Sequence, residues 1–180
     1  AGELVIEARA ETGPDGKPVF EVERFDGTAW TDVAEISGYG VNAPSAAAVD
    51  GRLYLIGGFS GAGGTPVDDV QVFDLATSTW AAASPLPTAS GGHAAAVIGG
   101  RIHVIGGGTA RSTIADHVAY DPATDRWETL APLPRAEGSP AAIVLDGHLW
   151  AIGGRSGNSD FGDVFVYDPA ADVWTPGPPI

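Results

Sequence analysis

The sequence predicts an all-β protein assembled from about four copies of one unit of short strands. Three observations predict it. Hydrophobic residues make up 44% of the chain and charged ones only 18%, with 26 Gly and 14 Pro among 180 residues. Long amphipathic helices draw on Glu, Lys, Arg and Leu, whereas short strands and tight turns draw on this mixture. A di-glycine closes an apolar run three times, at Leu53–Gly58, Ile102–Gly107 and Leu149–Gly154. An aromatic–Asp pair follows each run (Phe73-Asp74, Tyr120-Asp121, Tyr167-Asp168), and seven residues after each aromatic stands a tryptophan, Trp80, Trp127 or Trp174. Features that recur in phase mark an internal repeat.

Each unit reads as four strands, a to d. Strand a is a run of small residues: Ser45 to Val49, Ala94 to Ile98, Ala141 to Leu145. Strands near the axis of a ring are crowded, which favours small side chains there and leaves room for Trp further out. Asp50-Gly51, Gly99-Gly100 and Asp146-Gly147 follow. Such pairs tolerate positive φ and close tight hairpins onto strand b, the apolar run before the di-glycine. Strand c ends at the aromatic–Asp pair. The c–d turns, such as Asp121-Pro122-Ala123-Thr124-Asp125, carry Pro and Asp where turns want them. Strand d starts near Trp and runs to a Pro-rich exit. A degraded fourth copy occupies the N-terminus. Glu3 to Glu11 reads as strand b, Val19 to Arg24 as strand c, and Phe25-Asp26 with Trp30 as the c–d junction, with no di-glycine and no strand a.

This combination resembles the Kelch repeat family, in three good copies from Pro44 to Pro179. The resemblance implies a β-propeller in which each repeat forms one blade. The expectation is a Kelch-type propeller of about four blades in a single domain: blade 1 about 1–37, blade 2 about 38–87, blade 3 about 88–134 and blade 4 about 135–180. Kelch rings commonly have six or seven blades. Four strands b, c and d but only three strands a therefore lead us to expect a partial ring, or one completed by self-association or by blades not in this chain, the remaining alternative being an unusual four-bladed ring.

Composition narrows the partners. With 23 acidic against 9 basic residues and a formal net charge of −14, the chain lacks the basic footprint that a general grip on nucleic acid or anionic lipid needs. No apolar run approaches the roughly 20 residues that span a bilayer. Without Cys, neither a disulfide framework nor a thiolate metal site forms.

In an antiparallel blade the b–c and d–a connections emerge on one face, and the a–b and c–d turns on the other. The b–c loops, Phe59 to Asp69, Gly108 to His117 and Arg155 to Asp163, are long and variable, and loops on a rigid scaffold carry function. The resemblance implies that partners bind this face or the central channel. Arg111, Arg135 and Arg155 fall there and suit a carboxylate or another anion; the alternative is three solvated arginines, some paired with Glu137 or Asp160. Tyr39, Asn42, Phe59, Ser60, Ser90 and Asn158 share the face, and Phe59 and Phe161 either anchor an interface or tuck against a neighbouring blade. His93 opens a strand a where Kelch repeats often carry His. The other histidines, His103, His117 and His148, fit no metal-ligand spacing, so no cofactor or metal is expected. Asp68-Asp69 reads as solvated loop charge, and Asp74, Asp121 and Asp168, recurring with the blade period, as turn-formers. The expected function is a non-catalytic binding or scaffolding module for a protein or a small polar or anionic ligand. The alternative is part of a carbohydrate-active enzyme such as a sialic acid mutarotase-like epimerase. That would need an acid–base pair converging from among Glu137, Arg111, Arg135, Arg155 and His93.

Overall fold

The computed structural model describes residues 5–12, 18–37, 41–60 and 64–178. It is all-β. The first sheet has three eight-residue strands in the order β1-β2-β3: β1 (Val5–Thr12), β2 (Pro18–Phe25) and β3 (Trp30–Ser37). The second contains β5 (Ser45–Val49), β6 (Arg52–Ile56), β9 (Val70–Asp74) and β10 (Thr79–Ala82). Beside it lies a small sheet of β4 (Val41–Asn42), β7 (Phe59–Ser60) and β8 (Thr65–Pro66). The third sheet is β11 (Ala94–Ile98), β12 (Arg101–Ile105), β13 (His117–Asp121) and β14 (Arg126–Thr129). The fourth is β15 (Ala141–Leu145), β16 (His148–Ile152), β19 (Val164–Asp168) and β20 (Val173–Pro176), with a two-residue hairpin of β17 (Arg155–Ser156) and β18 (Ser159–Asp160). In the last three sheets the order from the inner edge is a-b-c-d, all antiparallel.

The turns follow from their residues. Asp50 and Gly51 have φ of 50° and 72°, Gly99 and Gly100 57° and 79°, Asp146 and Gly147 50° and 74°. Positive φ at both central positions is the hairpin geometry that matches strand twist. At the c–d turns the aspartate carboxylates accept backbone N–H groups two residues on: Ala76 to Asp74 at 2.9 Å, Ala123 to Asp121 at 2.9 Å and Ala170 to Asp168 at 2.8 Å. The recurring aspartates are turn-formers.

The core lies in the seams between sheets. Tyr54, Ile56 and Val70 meet Ile102, Val104 and Tyr120 between the second and third sheets. Ile105 and Leu133 meet Leu149, Ala151 and Tyr167 between the third and fourth. Strand β11 lies against both β5 and β15, so the small-residue strands converge on the inner edge. On β15 the side chains of Ile143, Val144 and Leu145 are 48%, 41% and 51% exposed, whereas every residue of β11 is half-buried between its neighbours.

A latch crosses two of these seams. Asp125 accepts from the Tyr120 hydroxyl at 2.6 Å and from the Ser84 N–H of the preceding blade at 2.8 Å, while Trp127 Nε1 donates to the Ser84 carbonyl at 2.9 Å. One blade on, Asp172 takes the Tyr167 hydroxyl and the Ala131 N–H, and Trp174 donates to the Ala131 carbonyl at 2.9 Å. The second sheet carries Phe73 and Ser78 at the Tyr and Asp positions, and Trp80 Nε1 is buried with no hydrogen bond among the described residues. We expect Asp125→Ala to lower stability by about 1–2 kcal/mol, a charge-assisted bond discounted for solvent exposure. Asp125→Asn, which keeps an acceptor and tolerates positive φ, should recover most of that. Urea midpoints of the two variants check this, and an unchanged midpoint for the alanine variant would contradict the latch.

Candidate functional site on the loop face

The connections on the loop face brace one another. Asn42 pairs with Phe59, Gly91 with Gly108 and Gly138 with Arg155, the same antiparallel bridge in each of three blades. Gly91 and Gly108 exchange N–H···O bonds of 3.1 and 2.8 Å; Gly138 and Arg155 exchange bonds of 2.8 and 2.9 Å. A Cβ on Gly91 would stand 2.6 Å from the Phe59 ring, so that glycine lets the aromatic lie on the next blade's backbone. Neighbouring blades are tied as well. Gly92 N–H donates to the Ala43 carbonyl at 2.8 Å, Ser139 N–H to that of Gly92 at 2.6 Å, and the Thr113 and Ser156 hydroxyls meet at 2.6 Å. The long b–c loops are thus a cross-linked platform.

On it the sequence-selected residues divide. Arg111 is exposed and forms no ion pair among the described residues. Arg155, 58% exposed at its side chain, has a loose contact of 3.8 Å with Asp160. The Thr113–Ser156 bond joins the loops that carry them. Arg135 is committed: it pairs with Asp163, donates to Glu137 Oε2 at 3.1 Å, and stacks 3.5 Å over the Phe161 ring. Phe161 is therefore a platform for Arg135, and Phe59 is half-buried on Gly91. Asn42 and Asn158 are exposed; Ser60 is half-buried and donates to the Thr65 carbonyl at 3.3 Å. Ser90 is buried, its carbonyl accepting the Gly58 N–H at 2.9 Å. Tyr39 lies outside the described residues.

Glu137 and His93 are both buried but face different glycines. A Cβ on Gly154 would meet Glu137 Cδ at 3.3 Å, whereas one on Gly57 would meet His93 Nε2 at 2.7 Å. Burial pushes the Glu137 carboxyl up, offset in part by Arg135, and Oε1 has no hydrogen-bond partner among the described residues. Burial pushes the His93 imidazole down to about 4 against a smaller opposing pull from the Ser90 backbone, and neither ring nitrogen makes a well-formed hydrogen bond among the described residues. Among the described residues no three His, Asp or Glu side chains gather as a metal needs, and no helix is long and apolar enough to cross a membrane.

Sequence reading missed a histidine pair. His103 Nδ1 and His117 Nε2 are 2.9 Å apart, and both rings are buried and held down to about 4 by burial. Its signal was present: both break the repeat, standing where sibling blades carry Tyr54 and Trp150, and Val70 and Val164.

Comparison with known proteins agrees with this architecture. Residues 30–179 match the KLHDC2/KLHL20/DRC7 Kelch-repeats domain. Kelch-like protein 35 of Homo sapiens is 39% identical over 72 residues, 40% of this chain and 12% of that protein. An N-acetylneuraminate epimerase of Pasteurella multocida (strain Pm70) is 36% identical over 94 residues, 49% of this chain and 24% of the relative. The chain therefore spans a quarter or less of the length of these two relatives. The solved structure of YjhT, a Kelch β-propeller, superposes with a TM-score of 0.78 at 18% identity, covering 99% of this chain and 66% of that one. Four sheets arranged as a partial propeller, and a family match over most of the chain, place this protein in the Kelch-repeat family.

Proposed function

We propose that the chain is a non-catalytic binding module that presents its b–c and d–a loops to a protein partner or a small polar or anionic ligand. One observation carries this reading: in a chain of net charge −14, Arg111 and Arg155 stand solvent-exposed on loops bonded to each other through Thr113 and Ser156. Rigid loops lose little entropy on binding, and exposed guanidinium groups recognise carboxylates in bidentate fashion. Kelch-repeat domains are protein-binding scaffolds in general, which supports a protein as the main partner. Self-association or further blades would cover the exposed β15 side chains, and light scattering reads that directly. A second reading, an epimerase-like enzyme, is supported by the buried, partly unpaired Glu137 carboxylate and by the similar N-acetylneuraminate epimerase.

Titration with N-acetylneuraminate, a carboxylate sugar, followed by NMR tests both readings. The binding reading expects shifts in residues 109–113 and 155–160 that vanish in Arg111→Ala/Arg155→Ala, with no faster exchange of the sugar's anomers. A photo-crosslinker at position 111 should capture a protein partner that one at Asp146, on the opposite face, does not. Faster anomer exchange that Glu137→Gln abolishes would favour the enzyme instead. Neither binding nor crosslinking at the loops would overturn the module.

A further inference from the structure

The first and fourth sheets carry the two halves of one seam. Every sheet sets an aromatic ring against a tryptophan across strands c and d. The ring centroids are 5.1 Å apart in Phe25–Trp30, 5.0 Å in Phe73–Trp80, 5.0 Å in Tyr120–Trp127 and 5.2 Å in Tyr167–Trp174. In the last three sheets the pair packs toward the preceding sheet. Phe73 and Trp80 meet Ala34, Tyr120 and Trp127 meet the cluster of Tyr54 and Ile56, and Tyr167 and Trp174 meet that of Ile105 and Leu133. Those three indoles are half-buried, whereas Trp30, with no sheet before it among the described residues, is 43% exposed.

The fourth sheet holds the receiving half. Leu149, Ala151 and Tyr167 face the third sheet, so the alternate positions Ile143, Leu145, Trp150, Ile152 and Val166 face the other way. The same positions of the second sheet are Ala47, Val49, Tyr54, Ile56 and Val72, all of which pack in the seam with the third. Tyr54 and Ile56 are buried there, whereas Trp150 and Ile152 are half-buried and Ile143 and Leu145 exposed. The latch positions match as well. Ser84 and Ala131, four residues after Trp80 and Trp127, each give an N–H to the next blade's Asp and a carbonyl to its Trp. Four residues after Trp174 stands Pro178, which has a carbonyl and no N–H. The first sheet suits it. Trp30 supplies an indole N–H, but two residues before it, where Trp127 and Trp174 have Asp125 and Asp172, stands Thr28, whose N–H and hydroxyl are donated to Asp26. The first sheet also has no strand a among the described residues. Ile143, in the place of Ala47 and Ala96, is large enough to reach into the room this leaves at the inner edge.

We propose that the first sheet of a second copy of this chain seats on the fourth sheet, with Trp30 Nε1 donating to the Pro178 carbonyl. Two copies close through two such seams into one ring of eight blades, the upper end of the usual propeller range. A single chain does not close in this way, since Trp30 and Ile143 are both exposed within it. The proposal makes the self-association named above specific, and it is independent of the loop-face ligand site.

A chain without Cys makes the test direct. In light scattering the wild type should have twice its 18.3 kDa. Ile143→Lys/Leu145→Lys should have the mass of one chain at the same concentration and the wild-type circular dichroism. A short bismaleimide should join Thr28→Cys to Pro178→Cys when the two single variants are mixed, and should join neither variant to itself. Should the lysine variant fail to fold, the crosslinking decides. A wild type of one chain's mass or of more than two, a folded lysine variant that is still dimeric, or no crosslink between the mixed variants would overturn the proposal. A single-chain protein that still binds N-acetylneuraminate at residues 109–113 and 155–160 would overturn this proposal alone and leave the binding module standing.

Discussion

Acidification from pH 7 to pH 4 is expected to cost the folded protein several kcal/mol, because three buried imidazoles must stay neutral. His93, His103 and His117 are each held near 4, against 6.5 for the free side chain, chiefly by burial. Below pH 6.5 the unfolded chain takes up protons that the native state refuses, so stability falls as pH falls and stops falling from this cause near pH 4. Each such group is worth up to about 3 kcal/mol, and the bonded His103–His117 pair is counted once. That is a large share of the roughly 5–15 kcal/mol typical of a domain. His117 Nδ1 donates to the Ala131 carbonyl, so protonating His117 also sets its Nε2–H against the Nδ1–H of His103 in the seam, where His117 packs 4.5 Å from Tyr167 and 5.4 Å from Trp174. A second, lower window belongs to Asp74, Asp121, Asp125 and Asp172. Hydrogen bonds hold their carboxyls below the ordinary value, so their contribution is present above about pH 4 and lost below it. Urea midpoints from pH 7 to pH 4 read the first window. His103→Tyr/His117→Val, which installs the sibling residues, should flatten about half of it and leave the part that belongs to His93. A wild-type midpoint that does not move between pH 6.5 and pH 4.5 would contradict the argument.

The strands were legible because each carries its own local signal. Di-glycines, Asp-Gly turns and the aromatic–Asp–Trp spacing recur in phase, and β5 to β20 include the predicted strands a to d. The short elements were not legible. β4, β7, β8, β17 and β18 are two residues long, shorter than any hydrophobic period. The bridges at Gly91 and Gly138 join glycines to loops about 17 residues away in the chain. Side-chain commitments were equally hidden. The Arg135–Glu137 pair was among the alternatives the sequence offered, but Asp163, 28 residues on and just before β19, was not a visible partner of Arg135. The histidine pair needed the register of β12 on β13, in which His103 faces Ala119 and His117 faces Ile105, making the two rings diagonal neighbours on one face. What could have found it was the repeat itself: two polar residues displacing aromatic or aliphatic ones at spatially paired positions of a single blade.

Gly106→Val is expected to be the most damaging single substitution at a di-glycine in the third blade. Gly106 directly follows β12 with φ of +65°, and a Cβ there would stand 2.4 Å from the Glu137 carbonyl oxygen and 3.4 Å from Leu133 Cδ1. The first neighbour is backbone, so it cannot swing aside as a side-chain tip would. Moving it breaks the Gly107 N–H bond to Glu137 of 2.8 Å, which closes the seam to the fourth blade, and strains the Gly106 N–H bond to Asp116 of 2.9 Å. A β-branched residue at positive φ adds its own penalty. Together these exceed about 4 kcal/mol, a size reserved for changes with several named causes. For a chain of this length that corresponds to a fall in Tm of roughly 8–16 °C. Two controls separate the causes. Gly157→Ala, at φ of +57° with nothing within 4 Å of its new Cβ, isolates the backbone penalty and should cost about 1–2 kcal/mol. Gly108→Ala places a Cβ 3.7 Å from Phe59 Cζ, an ordinary contact at a φ outside the left-handed region, and should leave Tm nearly unchanged. Thermal melts by circular dichroism order the three. A Gly106→Val protein that melts with the wild type would mean that the third and fourth blades do not meet through this carbonyl, and the seam geometry would be wrong.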